Sequence, residues 1–469
     1  MAKATSVAYA LQGTFVHCPS LGQVEILRDH LLLVDDQGFI SQICPASLEA
    51  SQEFIRQYGS SVKILPPGHL LLPTFCDLHL HAPQFMYQGT GLDLPLMQWL
   101  DNYAFKAEES LDANPDLARK VYKRLAQRLT EVGTGAVLLF GTIKTETNLI
   151  LAEEMQTAGL RAFVGKLSMD ISSRPSYKEL DANESLSFAR DFIQRCRDSV
   201  AHLEEHRRLV EPVITPRFVP TCSDALLKGL ADISSGPLRI QSHLAEAYEE
   251  VKWVEDERGM DDIRVFQKYN LLREGTVQAH CTFLDSASLD HLARSNTAVA
   301  HCPLSNAYFS EKPFPLREAL DKKVRVGLGT DVAGGYSIDI MNSMRHAVAV
   351  SRMREGTHAL NAKLNPTGNS NSTSLAIEWK ESLYLSTRGG SQALGLKSGE
   401  FKVGVPFDAQ EIAVYDFETS SGVGVLDFFD SQSQDTGITL DMIEKWWCMG
   451  DFRNRTAMWV QGRQISRAG

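Results

Sequence analysis

Apolar, β-branched-rich runs alternate with charged amphipathic stretches through the middle of the chain. The runs are LLPTFCDLHLHA (71–82), TGAVLLF (134–140), RAFVGKLSM (161–169), LVEPVITPRF (209–218), PLRIQSHLAE (237–246), TVQAHCTF (276–283), TAVAHCPL (297–304) and VRVGLGTDV (324–332). Each has the length and residue types of a buried strand. Stretches between them, such as NPDLARKVYKRLAQRLTEVG and AEAYEEVKWVEDERG, carry the spacing of helices with one apolar face. Strands alternating with helices pair in parallel through right-handed crossovers. Eight such units predict an α/β fold, a closed (β/α)8 TIM barrel. An open doubly wound sheet would carry a glycine-rich phosphate turn after its first strand, and DLHLHAPQ is the opposite of one.

The flanks are β-rich and too short to form separate cores, as HLLLVDDQGFISQIC, DAQEIAVYDF and TAMWVQGRQI illustrate. They predict one small β-sandwich domain built from both chain ends, residues 1–72 plus 396–469, around a barrel of residues 73–395. The Asn/Ser/Thr-rich stretch 361–374 reads as a long exposed loop.

Charge and composition narrow the partners. With 47 Lys and Arg against 58 Asp and Glu, the net charge of −11 disfavours nucleic acid and anionic membrane surfaces, and no local basic patch offsets it. A small neutral molecule is the expected partner. The first residues lack the pattern of a signal peptide, and no run reaches the roughly 18 apolar residues of a membrane span. The eight cysteines are scattered without a C-x-x-C pair, as suits reduced thiols, so the expected compartment is the cytoplasm.

Chemistry in a barrel gathers at the carboxyl ends of its strands. The first strand ends in His79 and His81, which at i and i+2 share a strand face. The fourth ends in Arg217, the fifth in His243 with Glu246 just beyond, the sixth in His280, the seventh in His301 and the eighth in Asp331. Ionisable groups at such positions are costly unless paired or bound to a metal. His79, His81 and His243 offer three neutral nitrogens and Asp331 an oxygen, a set that suits Zn²⁺ able to make hydroxide available near pH 7. Imidazole with carboxylate also suits Fe²⁺. His301 is expected to orient Asp331 by a hydrogen bond. HLEEH (202–206) matches an inverted zinc-protease pattern, H-x-x-E-H, but is expected on the solvated face of an outer helix.

The strand-end set resembles the metal-dependent amidohydrolase superfamily over nearly the whole chain. Within it, DLHLHAPQF…GLDLPLMQWLDNYAFKAE (77–108), TPRFVPTCS (215–223), QSHLAE (241–246) and GLGTDVAGGYS (327–337) are similar to the guanine deaminase family of animal and fungal type. Leu78 stands where that pattern commonly has threonine, and AHCTFLD replaces the more usual AHG. The resemblance implies hydrolysis of guanine to xanthine and ammonia at one Zn²⁺ per chain held by His79, His81, His243 and Asp331. It implies Glu246 as proton carrier to the ring nitrogen and Asp331 as the group that takes a proton from water toward the leaving amine. His280 would steady the attacking water and the developing oxyanion. Gln84 and Arg217 would read the purine's polar edge, with Phe218, Trp99 and Leu100 walling the ring. The end of the fourth strand carries no lysine, which argues against a carbamylated two-metal site. A homodimer is also implied. The competing readings are the same hydrolytic machinery on another aminated ring, such as adenine derivatives, cytosine, pterins or triazines, and a catalytically silent scaffold.

Overall fold

The long apolar run at 71–82 divides between two sheets in the computed structural model, which describes residues 6–234, 236, 238–364, 374–428 and 437–465. Its first three residues end the strand His69–Pro73 of a mixed sheet, and the rest, from Phe75, opens the barrel. The barrel strands are β1 (Phe75–His81), β2 (Thr134–Phe140), β3 (Arg161–Ser168), β4 (Val210–Pro216), β5 (Arg239–Leu244), β6 (Thr276–His280), β7 (Ala298–His301) and β8 (Arg325–Leu328). They lie in chain order, each parallel to the next, so all their carboxyl ends share one rim. Just past β8 the seam to β1 is bridged by Asp331 N–H to His79 O at 2.8 Å and His81 N–H to Val332 O at 2.9 Å. The buried Asp77 carboxylate reinforces that seam, accepting from the Thr330 hydroxyl at 2.5 Å and from the Thr330 and His79 amides at 3.0 and 3.2 Å.

Strand alternation sets which side chains fill the barrel. Leu78, Leu138, Phe163, Val213, Ala279 and Ala300 form one interior cluster. Val137, Leu139 and Val164, next to these in the chain, and also Leu80 instead pack outward with helix residues such as Leu125, Leu129 and Leu151. A register shift between Asp77 and Leu80 breaks this alternation in β1. The bulge lets Leu78 and His79 both face inward. Leu78 is therefore a filler of the barrel interior one step below the histidines.

Both chain ends meet in the second sheet. Its order is Arg463–Gln464, Arg455–Val460, Ala409–Ala413, His69–Pro73, Val7–His17, Glu25–Asp35 and Ile40–Pro45, with Val62–Ile64 also paired to Val7–His17. Phe15, Leu32, Leu71, Phe407 and Trp459 fill its apolar cluster. Two details differ from the sequence-based expectation. Helix Leu440–Met449, within the stretch expected in the terminal β domain, shares the apolar cluster of Met344 and Leu383 through Ile443 and Trp446, and its Trp447 carbonyl accepts from Arg345 Nε at 2.9 Å. Helix Ile340–Leu364 runs through 361–364, where Ala-Lys-Leu favours helix over loop. Residues 365–373 of the expected loop lie outside the described residues. All eight cysteines are free thiols.

Glu411 ties this sheet together. Burial acts to raise its pKa, but hydrogen bonds from His69 and then Lys63, both at 2.8 Å, outweigh it and lower the value to about 2. A depressed carboxylate stabilises the fold above its unfolded value of about 4.3, and that stability is lost as pH falls toward about 2. Glu411→Gln is therefore expected to lower the melting temperature at pH 7, and the difference from the wild type should shrink on acidification below about pH 4. Thermal scans across pH check this.

Candidate active site

Four imidazoles and a carboxylate converge at the rim. His79, His81, His243, His280 and Asp331 are all at least 94% buried. The first two stand at i and i+2 on β1, and His243 reaches in from β5. By alternation His280 would turn away like Gln278, but its left-handed backbone, φ 68°, redirects it. Asp331 is likewise left-handed at φ 49°, in the turn after β8. Such conformations cluster where a site over-determines the backbone.

The distances are short throughout. His81 Nε2 is 3.0 Å from His243 Nε2, and Asp331 Oδ1 is 3.1 Å from His79 Nε2 and 3.5 Å from His81 Nε2. His243 Nδ1 donates to Arg217 O at 2.6 Å, which leaves its Nε2 lone pair facing His81. Phe140 underlies the cluster, its ring 4.6 to 4.8 Å from those of His243, His79 and His81. Burial pushes the pKa values of His79, His81 and His243 well below the ordinary imidazole value, and their charged neighbours push the same way. Neutral nitrogens are the form a metal binds. His79 Nε2 and His280 Nε2 are buried with no hydrogen-bond partner. Among the described residues the groups with metal-ligating spacing are His79–His81–His243 and His79–His280–Asp331. Orphaned buried nitrogens beside a carboxylate fit a divalent cation with N and O donors.

Glu246 stands beyond β5, its Oε2 3.6 Å from His280 Nε2. Burial first, then the negative charge of Asp331, holds its carboxyl well above the ordinary carboxylate value. Its amide is anchored on Glu250 Oε2 at 2.7 Å. His280 Nδ1 donates to Asn306 Oδ1 at 2.8 Å, so His280 Nε2 is the nitrogen turned toward Glu246 and Asp331.

Above these groups lies a cavity. His81, Gln84, Trp99, Leu100, Arg217, Phe218, His243, Glu246 and Asp331 all line it. His79 and His280 lie outside its lining, their rings 4.8 and 5.5 Å from that of His243. Sequence reasoning missed Leu96, Ser305 and Phe309 in the lining, and Trp99 packs on Phe309 at 5.4 Å between ring centres. It also missed Glu108, Phe140 and Asn306. Asn306 closes the stretch AHCPLSN (300–306) and Phe309 follows it, but their reach into the site depends on a helix, Pro303–Phe309, whose direction no local pattern gives.

Two expectations are corrected. No hydrogen bond links His301 to Asp331 among the described residues. Ala300 lies in the barrel interior, so His301 faces outward and packs on Phe314 at 5.2 Å. HLEEH is not on a helix. Helix Ala182–Val200 ends before it, and His202 to His206 form an exposed turn and a short 3₁₀ segment remote from the cavity.

The sequence over residues 70–448 matches the amidohydrolase family model. The chain belongs to that family. Within it, the chain is similar to the guanine deaminase of Mus musculus, 35% identical over 99% of this chain and 98% of that one. It is also similar to the guanine deaminase of Dictyostelium discoideum, at 33% identity over 99% and 100%. Among solved structures, a guanine deaminase from C. acetobutylicum with guanine bound in its active site superimposes with a TM-score of 0.83. That pair is 26% identical, with 98% of this chain and 100% of the other covered. Among the described residues no helix is long and apolar enough to cross a membrane.

Proposed function

We propose that this protein hydrolyses guanine to xanthine and ammonia. The observation that carries the reading is the coincidence, in one small buried cavity, of the His/Asp cluster, a protonatable Glu246 and a donor–acceptor wall of Arg217 and Gln84. Full-length similarity to guanine deaminases supports it.

His79, His81, His243 and Asp331 would hold one Zn²⁺ per chain, with Fe²⁺ a second ion the same donors suit. When bound, such an ion makes hydroxide available near neutral pH. The rest is the work of the chain. Raised above its usual range, the Glu246 carboxyl carries a proton that it gives to the ring nitrogen as carbon 2 becomes tetrahedral. Asp331 takes the proton from the attacking water and passes it to the departing amine. His280, its Nδ1–H held by Asn306, turns the Nε2 lone pair toward the reacting centre, where it accepts from the attacking water and steadies it. Arg217 and Gln84 orient the ring through its polar edge, while Phe218, Trp99 and Leu100 cover its faces and exclude water. Water's oxygen ends on carbon 2 as a carbonyl, its second proton returns to the Glu246 carboxylate, and the amine leaves as ammonia.

A role in purine catabolism, a cytoplasmic location, a homodimer and the division into 1–72 plus 396–469 and 73–395 belong to the same proposal. Specificity tests it. Across guanine, adenine, cytosine and pterin, kcat/KM is expected to be highest for guanine, and Arg217→Ala should remove most of that preference with metal content unchanged. A higher value for another ring would replace guanine as the substrate.

A further inference from the structure

Glu108, on helix Phe105–Ala113, is fully buried behind the cavity wall, outside both the His/Asp cluster and the lining itself. Its two oxygens have separate partners. Oε1 accepts from Gln84 Nε2 at 2.9 Å and Oε2 from Arg217 Nη1 at 2.6 Å. One carboxylate thereby joins the segment after β1 to the end of β4, and Phe105 of the same helix lies under the Arg217 guanidinium at 4.8 Å.

We infer that Glu108 is a positioning residue that sets which hydrogen-bonding atoms Gln84 and Arg217 present to the substrate, and so selects a lactam edge over an amidine edge. The inference rests on reading the cavity as a purine site. An ionised carboxylate only accepts hydrogen bonds. It therefore captures the NH₂ of Gln84 and leaves Gln84 Oε1, an acceptor, on the other side. That oxygen has only a long contact of 3.4 Å from the Ala333 amide. Arg217 spends Nη1 on Glu108, while its Nη2 is buried without a partner. Both residues line the cavity. The wall thus offers one acceptor and one donor.

A ring carbonyl beside a ring N–H fills that pair. An exocyclic amine beside a bare ring nitrogen offers the reverse order and leaves buried groups unpaired, which is the strongest basis for rejection a site can have. If residue 108 could also donate, the Gln84 amide would be free to turn over and the order would be lost.

Hypoxanthine and adenine carry these two edges, and both lack the 2-amino group. Their dissociation constants are measured by calorimetry on the zinc-loaded full chain. The wild type is expected to favour hypoxanthine at least tenfold. Glu108→Gln should shrink that ratio tenfold or more, chiefly by weakening hypoxanthine, with zinc content unchanged. Glu108→Asp keeps an acceptor-only group and should keep the preference even if both affinities fall. Equal weakening of both purines in Glu108→Gln would reduce the pair to a structural ion pair and overturn the inference, as would a wild type without preference. Should Glu108→Gln fail to fold, loss of the preference in a zinc-replete Glu108→Asp would overturn it as well, and its retention would support it. Guanine turnover is scored separately: its absence beside an intact preference would overturn the proposed reaction alone.

Discussion

Glu246→Gln is expected to lower kcat for guanine by about 10²–10⁴-fold, the usual span for removing a general acid–base. The substitution keeps size and hydrogen bonding but removes the transferable proton. Glu246 earns this role from its surroundings. It is buried beside Asp331, and both effects raise its pKa above the ordinary carboxylate value, which favours the protonated form a general acid needs. Its backbone is pinned by Glu250, so the variant should keep its place. Stopped-flow or steady-state absorbance gives kcat, and atomic absorption should find the metal content unchanged. A variant within threefold of the wild type would remove Glu246 from the chemistry.

His79→Ala is expected to remove both turnover and tight metal binding. His79 Nε2 is buried without a hydrogen-bond partner and lies 3.1 Å from Asp331, at the meeting point of both metal-ligating groups. Loss of one imidazole from such a set leaves an incomplete site with a buried carboxylate. Bound zinc should fall from about one per chain to a small fraction, and activity to that of the chelated wild type. His301→Ala is the matched control, since His301 faces Phe314 and the helices. It should retain its metal. His202→Ala, on the exposed turn, should be fully active.

The barrel was legible because its strands are buried on both faces, which writes each as a short continuous apolar run bounded by polar stretches. That rule found all eight strands, and the strand-end rule placed His79, His81, His243 and Asp331 on one rim. What stayed hidden depends on geometry without a local signature. The bulge in β1 turns Leu78 inward beside His79, and alternation alone cannot show it. His280 points into the site only through its left-handed backbone, while His301, in a similar sequence context, points out. Glu108 is 109 residues from Arg217 in sequence and looks like any polar position on an outer helix until the fold closes around it. Asn306 is hidden for the same reason.

The most direct test of the central claim follows guanine by ultraviolet absorbance with the purified protein as isolated, after chelation, and after return of Zn²⁺. The expected result is conversion to xanthine with one equivalent of ammonia, lost on chelation and restored as zinc returns to about one per chain. A protein that carries zinc at that ratio yet leaves guanine unchanged would contradict it.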